Sequence, residues 1–156
     1  MNTEIRKAEA TEEDIELLTS LRMQMRAERE EVPPPEDMTL FRQQVKEYFA
    51  SSLAEGSFIS FLVFADGRPA ACSGLCIERH PPSYSDPEGY IGYITNMFTL
   101  KEFRGKGLAR LLLDEIRKEA VKCRCRKLML NASGMGRPVY EKYGFKDVAN
   151  EMVLFL

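Results

Sequence analysis

The chain has no long apolar run, no excess charge of either sign and a single histidine, and each shortage removes a class of function. No apolar stretch approaches membrane-spanning length, and the opening MNTEIRKAEA lacks the core of a secretory signal, so a cytoplasmic location is expected. Basic and acidic residues nearly cancel, 22 against 24, which removes any general attraction to nucleic acid or to an anionic membrane. His80 stands apart from all four cysteines. Cys72 and Cys76 fall on one face of an expected strand, while Cys123 and Cys125 sit among Lys122, Arg124, Arg126 and Lys127. Neither pair has zinc-site spacing, and four cations disfavour a metal on two of the thiolates, so reduced cysteines and no metal are expected. A length of 156 residues suits one domain, 1–156, with one core.

A further shortage is local. Residues 91 to 116, IGYITNMFTLKEFRGKGLARLLLDEI, read as a buried strand (Ile91 to Leu100), a charged turn, and a helix with the apolar stripe Ala109, Leu112, Leu113, Ile116 and Ala120. No Ser, Thr, Asp or Asn precedes that helix to cap it. Its first N–H groups therefore lack partners and sum with the helix dipole to a partial positive charge. Gly105 and Gly107 allow close backbone approach, and Arg104, Lys106 and Arg110 add charge, so the stretch reads as a phosphate cradle. It is not a P-loop, because Leu108 stands where Ser or Thr would hold a metal, and the third small residue of a dinucleotide fingerprint is replaced by Arg110.

The remaining pattern, strand, then Arg104-Gly105-Lys106-Gly107-Leu108-Ala109, then helix, resembles the acetyl-CoA-binding core of the GNAT superfamily of N-acetyltransferases. Residues 127 to 145, KLMLNASGMGRPVYEKYGF, resemble the second half of that core, with a strand ending near Asn131, a short helix bearing Tyr140, and Tyr143-Gly144-Phe145 closing it. The resemblance covers the whole chain. It implies a mixed α/β (α+β) fold: a splayed, mostly antiparallel sheet of six or seven strands with four helices. It further implies that the pantetheine arm of acetyl-CoA lies between two strands that part after a bulge, bonded by backbone around Phe98 and Thr99. The pyrophosphate would rest on N–H groups of residues 105 to 110, Leu108 and Ala109 among them. Tyr140 would be the general acid, and Asn131 either a strand-end cap or a contact to the arm.

Elsewhere the chain reads as an edge strand at Thr3 to Ala8, then a helix from Thr11 with Ile15, Leu18, Leu21 and Met25 on one face, stopped by Val32-Pro33-Pro34-Pro35. A second helix runs from Glu36-Asp37 to Gly56. The acidic cluster Glu28, Glu30, Glu31, Glu36 and Asp37 reads first as a solvated helix end and second as an attractor of a cationic amine. Ser57 to Ala65 reads as one buried strand, joined through Asp66-Gly67 to an antiparallel return at Arg68 to Glu78. The loop from His80 to Gly89 follows; His80 reads as solvated, with a lesser reading as a proton acceptor. Symmetric pairing about that loop makes Glu78 face the central strand near Gly92, where a water chain could make it the general base. Met152 to Leu156 is expected to form a closing strand.

The function so implied is acetyl transfer from acetyl-CoA directly to a primary amine, with no covalent enzyme intermediate and no metal. Backbone N–H groups near Thr99 would serve the oxyanion, and Tyr140 would protonate the leaving thiolate. The partners are acetyl-CoA and an amine-bearing acceptor, with no nucleic acid or membrane; a homodimer is left open. Small polyamine, amino acid, antibiotic and protein N-terminus all stay open as acceptors. The alternatives are an acyl-CoA-binding regulatory module without turnover, and a nucleotide-phosphate sensor that keeps only the cradle.

Overall fold

Alternation along the strands sends apolar side chains to both faces of one sheet, and helices cover both. The computed structural model describes residues 1–29 and 32–156. In chain order it contains β1 (Thr3–Lys7), α1 (Glu12–Arg29), α2 (Met38–Glu55), β2 (Phe58–Ile59), β3 (Phe61–Ala65), β4 (Arg68–Arg79) and β5 (Tyr90–Thr99). A short 3-10 turn (Lys101–Phe103), α3 (Leu108–Lys122), β6 (Lys127–Leu130) and α4 (Arg137–Tyr143) follow. The strands form a six-stranded sheet in the order β1-β3-β4-β5-β6, with β2 also paired to β4. All pairings are antiparallel except β5 with β6. Phe61 and Val63 point into the layer under α3, with Leu108, Leu112, Leu113 and Ile116. Leu62, the residue between them, points into the opposite layer, with Leu18, Leu21 and Met25 of α1 and Phe49 of α2.

The helix ends follow local chemistry. Thr11 Oγ1 accepts from the Asp14 N–H at 3.3 Å, and Asp14 is itself clamped by both terminal nitrogens of Arg6 at 2.7 and 2.8 Å and by the Glu9 N–H at 2.8 Å. Arg6 first, and the Glu9 N–H after it, hold the Asp14 carboxyl below its ordinary value against the effect of burial. The clamp ties α1 to β1. Asp37 caps α2, its Oδ1 accepting from the Thr39 N–H at 3.0 Å, and Gly56 ends that helix at φ 77°.

Three expectations change. The strand expected over 57–65 is broken at Ser60, whose hydroxyl donates to the Ser73 carbonyl at 2.6 Å and so takes a place in the ladder. Glu78 pairs with Ile91, beside Gly92 as expected, but points away from the site: the His80 N–H bonds the Gly89 carbonyl at 2.8 Å, Gly89 turns at φ 76°, and Glu78 lies at the surface beside His80. The closing strand is absent. Arg137 holds Asp147 at 2.8 Å and turns the chain back toward α4, leaving Val153, Leu154, Phe155 and Leu156 76% to 115% exposed and the outer edge of β6 unpaired.

Candidate active site

β5 and β6 pair only from Ile91 to Ile94 against Lys127 to Leu130. Beyond Ile94 the β6 side of β5 has no strand partner, and the two strands part. On its other side β5 carries a bulge: Cys72 pairs with Phe98 and Gly74 with Thr95, so β5 spends one residue more than β4 between those points. Asn96 takes up that residue at φ 55°, a left-handed conformation that asparagine tolerates better than most. Its side chain is buried, with Nδ2 3.8 Å from the Cys72 sulfur and Oδ1 without a partner.

The chain then turns through the 3-10 segment into α3. Gly107 occupies the cap position at φ 80° with no side-chain cap, and Gly105 lies at φ 74°. A Cβ at either glycine would meet no atom within 4 Å, so both face open space. Among the described residues no protein group accepts from the N–H of Leu108, Ala109 or Arg110; the ladder begins with Leu111 bonding the Gly107 carbonyl at 3.2 Å. Arg104 is already engaged, its Nε donating to the Thr99 carbonyl at 2.9 Å and its fork paired with Glu28. It fastens the loop to the end of β5 and to α1. A cavity of about 360 Å³ opens over this helix start and is lined by Phe98, Thr99, Arg104, Gly105, Gly107, Leu108, Ala109, Arg110 and Tyr140.

Two further cavities follow, the first adjoining the cradle and the second adjoining the first. One of about 460 Å³ fills the gap where the strands part, between Thr95, Asn96 and Met97 of β5, Asn131 beyond β6, Tyr140, and Arg22, Arg26 and Arg29 of α1. The other, about 420 Å³, lies between α2 and the sheet against Phe41, Tyr48, Phe49 and Phe58, with Arg22, Tyr93, Thr95 and Asn96 shared with the gap. No Asp, Glu or His among the described residues lines any of the three. A larger cavity of about 810 Å³ follows the open outer edge of β6 and touches none of the expected site residues.

Tyr140 borders both the cradle and the gap. Its ring packs edge-on to Phe145 with centroids 5.8 Å apart, and its hydroxyl has no partner among the described residues. Burial pushes the phenol above its ordinary value, with Arg29 pulling the other way, so the proton stays on the oxygen at neutral pH. Tyr143, one turn on, is different: its hydroxyl donates to Asp114 of α3 at 2.8 Å and pins the two helices together.

Comparisons with known proteins bear on the arrangement of an uncapped helix start at the mouth of a gap between parting parallel strands. Residues 24–154 match the acetyltransferase (GNAT) domain family. The chain belongs to that family. A crystal structure of a protein described as a predicted acetyltransferase with acetyl-CoA, from Clostridium acetobutylicum, is 33% identical, with a TM-score of 0.88 over 99% of this chain and 96% of that one. A GCN5-related N-acetyltransferase from Ralstonia eutropha JMP134 is 23% identical, with a TM-score of 0.85 over 99% of both chains. The aminoglycoside N-acetyltransferase AAC(6')-Iy, solved with a bisubstrate analogue joining CoA to acetylneamine, shares the fold at 20% identity and a TM-score of 0.75, over 100% of this chain and 97% of that one. No protein of curated function matches significantly.

Of the residues expected on the cofactor side, the structure gathers Phe98, Thr99, Arg104, Gly105, Gly107, Leu108, Ala109 and Arg110 with Tyr140. Lys106 turns away, its Nζ 5.4 Å over the Phe103 ring, and Asn131 lies in the gap. Glu78 is not brought to the site. It lines none of these cavities and stands at the surface, 3.1 Å from the His80 Nε2. In the acidic cluster Glu28 serves Arg104 and Asp37 caps α2, while Glu30 and Glu31 lie outside the described residues. Sequence reasoning missed Asn96, Arg22 and Arg29. Asn96 left a signal, a lone amide inside an apolar strand; the arginines left none, because α1 carries charge on several faces.

Proposed function

We propose that this chain is an N-acetyltransferase that moves an acetyl group from acetyl-CoA directly to a primary amine, with Tyr140 as the general acid. The observation that carries the reading is the continuity of three spaces: the uncapped α3 start, the gap beside the β5 bulge, and a third cavity reached from the gap. The first suits a pyrophosphate, since bare N–H groups and the helix dipole meet it where no Cβ intrudes. Past Ile94 the edge of β5 has no strand partner, which suits an amide-bearing arm added along β5. The amine would arrive from the third.

The chain's own groups then divide the work. Backbone N–H groups after the bulge, around Met97 to Thr99, meet the oxyanion that forms when the amine attacks the thioester carbonyl. Tyr140 gives its proton to the departing sulfur as the carbon–sulfur bond breaks. Among the described residues no carboxylate or imidazole lines the cavities to take the proton from nitrogen. The arginines of α1 supply the alternative, because positive neighbours disfavour an ammonium and lower its pKa. The amine is then neutral at lower pH than in water, and solvent receives the proton. Glu78, beside His80, is left out of this path.

The test is thiol release from acetyl-CoA by the purified protein against a panel of primary amines, with mass spectrometry of the products. An N-acetylated product formed in step with free CoA is expected. Tight acetyl-CoA binding with no thiol release from any amine would instead favour the regulatory module. Equal competition by CoA and by its adenine-nucleotide fragment would favour the phosphate sensor.

A further inference from the structure

The arginines of α1 carry more than a proton argument. Positions 22, 26 and 29 share one helical face, and all three side chains border the gap between the parting strands. Six arginines elsewhere pair with carboxylates: Arg6 with Asp14, Arg42 with Glu16, Arg68 with Glu102, Arg104 with Glu28, Arg124 with Glu88 and Arg137 with Asp147. Arg22 and Arg29 have no carboxylate partner among the described residues, and Arg29 Nε is buried with no acceptor. Keeping guanidinium groups partly out of water without an anion is costly, and a fork of donors is the group best shaped to receive a carboxylate. Burial first, and Arg26 next, pull the Arg22 guanidinium below the ordinary arginine value, the direction expected of a cation short of a counter-charge.

The two free arginines face different ligands. Arg29 borders the cradle over α3 and stands 5.9 Å above the Phe98 ring, so its charge falls where acetyl-CoA would lie. Arg22 lies seven residues earlier, about 10 Å along the helix axis. It borders the cavity between α2 and the sheet, which has no residue in common with the cradle. That cavity offers an apolar wall, Phe41, Val45, Tyr48, Phe49 and Phe58, and the buried, unpaired Asn96 Oδ1 beside the bulge. A cationic fork, an apolar wall and a lone acceptor beside the transfer point are three parts of one recognition site.

We propose that the acceptor is an α-amino acid with an apolar or aromatic side chain. Arg22 takes the carboxylate, Asn96 Oδ1 accepts from the amine, and the side chain rests against Phe41, Tyr48 and Phe58. This rests on the acetyltransferase reading above and narrows its amine to one that bears an anion. In the transfer the amine nitrogen bonds the acetyl carbon, the carbon–sulfur bond breaks, one nitrogen proton goes to solvent and the thiolate takes one from Tyr140. The products are an N-acetylamino acid and CoA.

Thiol release at fixed acetyl-CoA tests this with L-phenylalanine, with phenethylamine (the same body without carboxylate), with glucosamine 6-phosphate, and with an aminoglycoside. The expected result is a kcat/KM for phenylalanine at least about tenfold above that for phenethylamine, the size of one charge-assisted hydrogen bond. Arg22→Gln should collapse that ratio toward one through KM, and Arg22→Lys should restore part of it, at unchanged melting temperature. A preference for phenethylamine or the aminoglycoside, or an Arg22→Gln variant that keeps the ratio, overturns the proposal while leaving acetyl transfer intact. A preference for glucosamine 6-phosphate overturns it too, in favour of a hydrophilic phosphate-bearing amine. Thiol release from no amine at all, with acetyl-CoA still bound, overturns this proposal and the acetyltransferase reading together.

Discussion

On the α3 wall of the cleft the groups that face the open space are mostly backbone: bare N–H groups of the first turn, glycines at φ 74° and 80°, and the unpaired edge of β5 past Ile94. On the α1 and α2 wall they are side chains, arginines against aromatic rings. A backbone site constrains its sequence tightly, because only glycine turns there without strain and only an uncapped start leaves the donors free. A side-chain site constrains residue type loosely and position through tertiary packing. One wall therefore suits a fixed cofactor, and the other can be rewritten for a new acceptor while the fold stands.

The sharpest way to break this contrast is Tyr140, which borders the cradle and the gap. Tyr140→Phe should lower kcat roughly a hundredfold, the low end for general-acid help because a thiolate already leaves tolerably, with the acetyl-CoA dissociation constant nearly unchanged. The raised phenol pKa sets the pH behaviour. Parent activity should not fall for want of the acid until above the ordinary tyrosine value of about 10, and the deficit of the variant should narrow as pH rises. Intact turnover with a lower melting temperature would make Tyr140 a packing residue like Tyr143.

A smaller effect sharpens the contrast from the other wall. Asp14→Asn loosens the clamp of α1 to β1 and should cost about 1–3 kcal/mol of stability by thermal melting, weakening acceptor KM more than acetyl-CoA KM. Because the folded Asp14 pKa is depressed, its contribution is full above the unfolded value of about 4 and is lost as pH falls through the folded one. The variant should lack that acid-side loss, and a parallel decline in both proteins would remove Asp14 from the account. Smallest of all, Glu78→Gln should leave kcat far short of the roughly hundredfold loss that a missing general base produces. Its partner is a surface histidine. A loss of that size would return the proton path to Glu78.

The same contrast explains what the sequence could tell. The cradle was legible because two glycines and a missing cap have few other uses, and Asp66-Gly67 announced its hairpin, turning at φ 49° and 75° as expected. The bulge was expected near Phe98 and Thr99 and falls at Asn96, because register between strands is set by cross-strand packing that the apolar pattern alone does not index. Glu78 lies near Gly92 as expected, yet which face of the sheet it takes was not legible for the same reason. Arg22 and Arg29 look like ordinary helix charges until the parting of β5 and β6 is seen beside them. Met152 to Leu156 reads as a strand by composition, yet no strand of the sheet takes it up.

The central claim, that the backbone of the α3 start holds the phosphates of acetyl-CoA, is tested most directly by thermal melts of the parent and Gly107→Val with acetyl-CoA in the presence of EDTA. At about a hundred times its dissociation constant, acetyl-CoA should stabilise the parent by roughly 2.7 kcal/mol without metal. The variant should fold with a penalty of about 1–2 kcal/mol, since a branched residue at φ 80° is strained although its Cβ meets no protein atom. It should then need at least about tenfold more acetyl-CoA for the same shift, because the new side chain fills the space where phosphate and backbone meet. No shift in the parent, or equal shifts in both proteins at equal concentration, would contradict the claim.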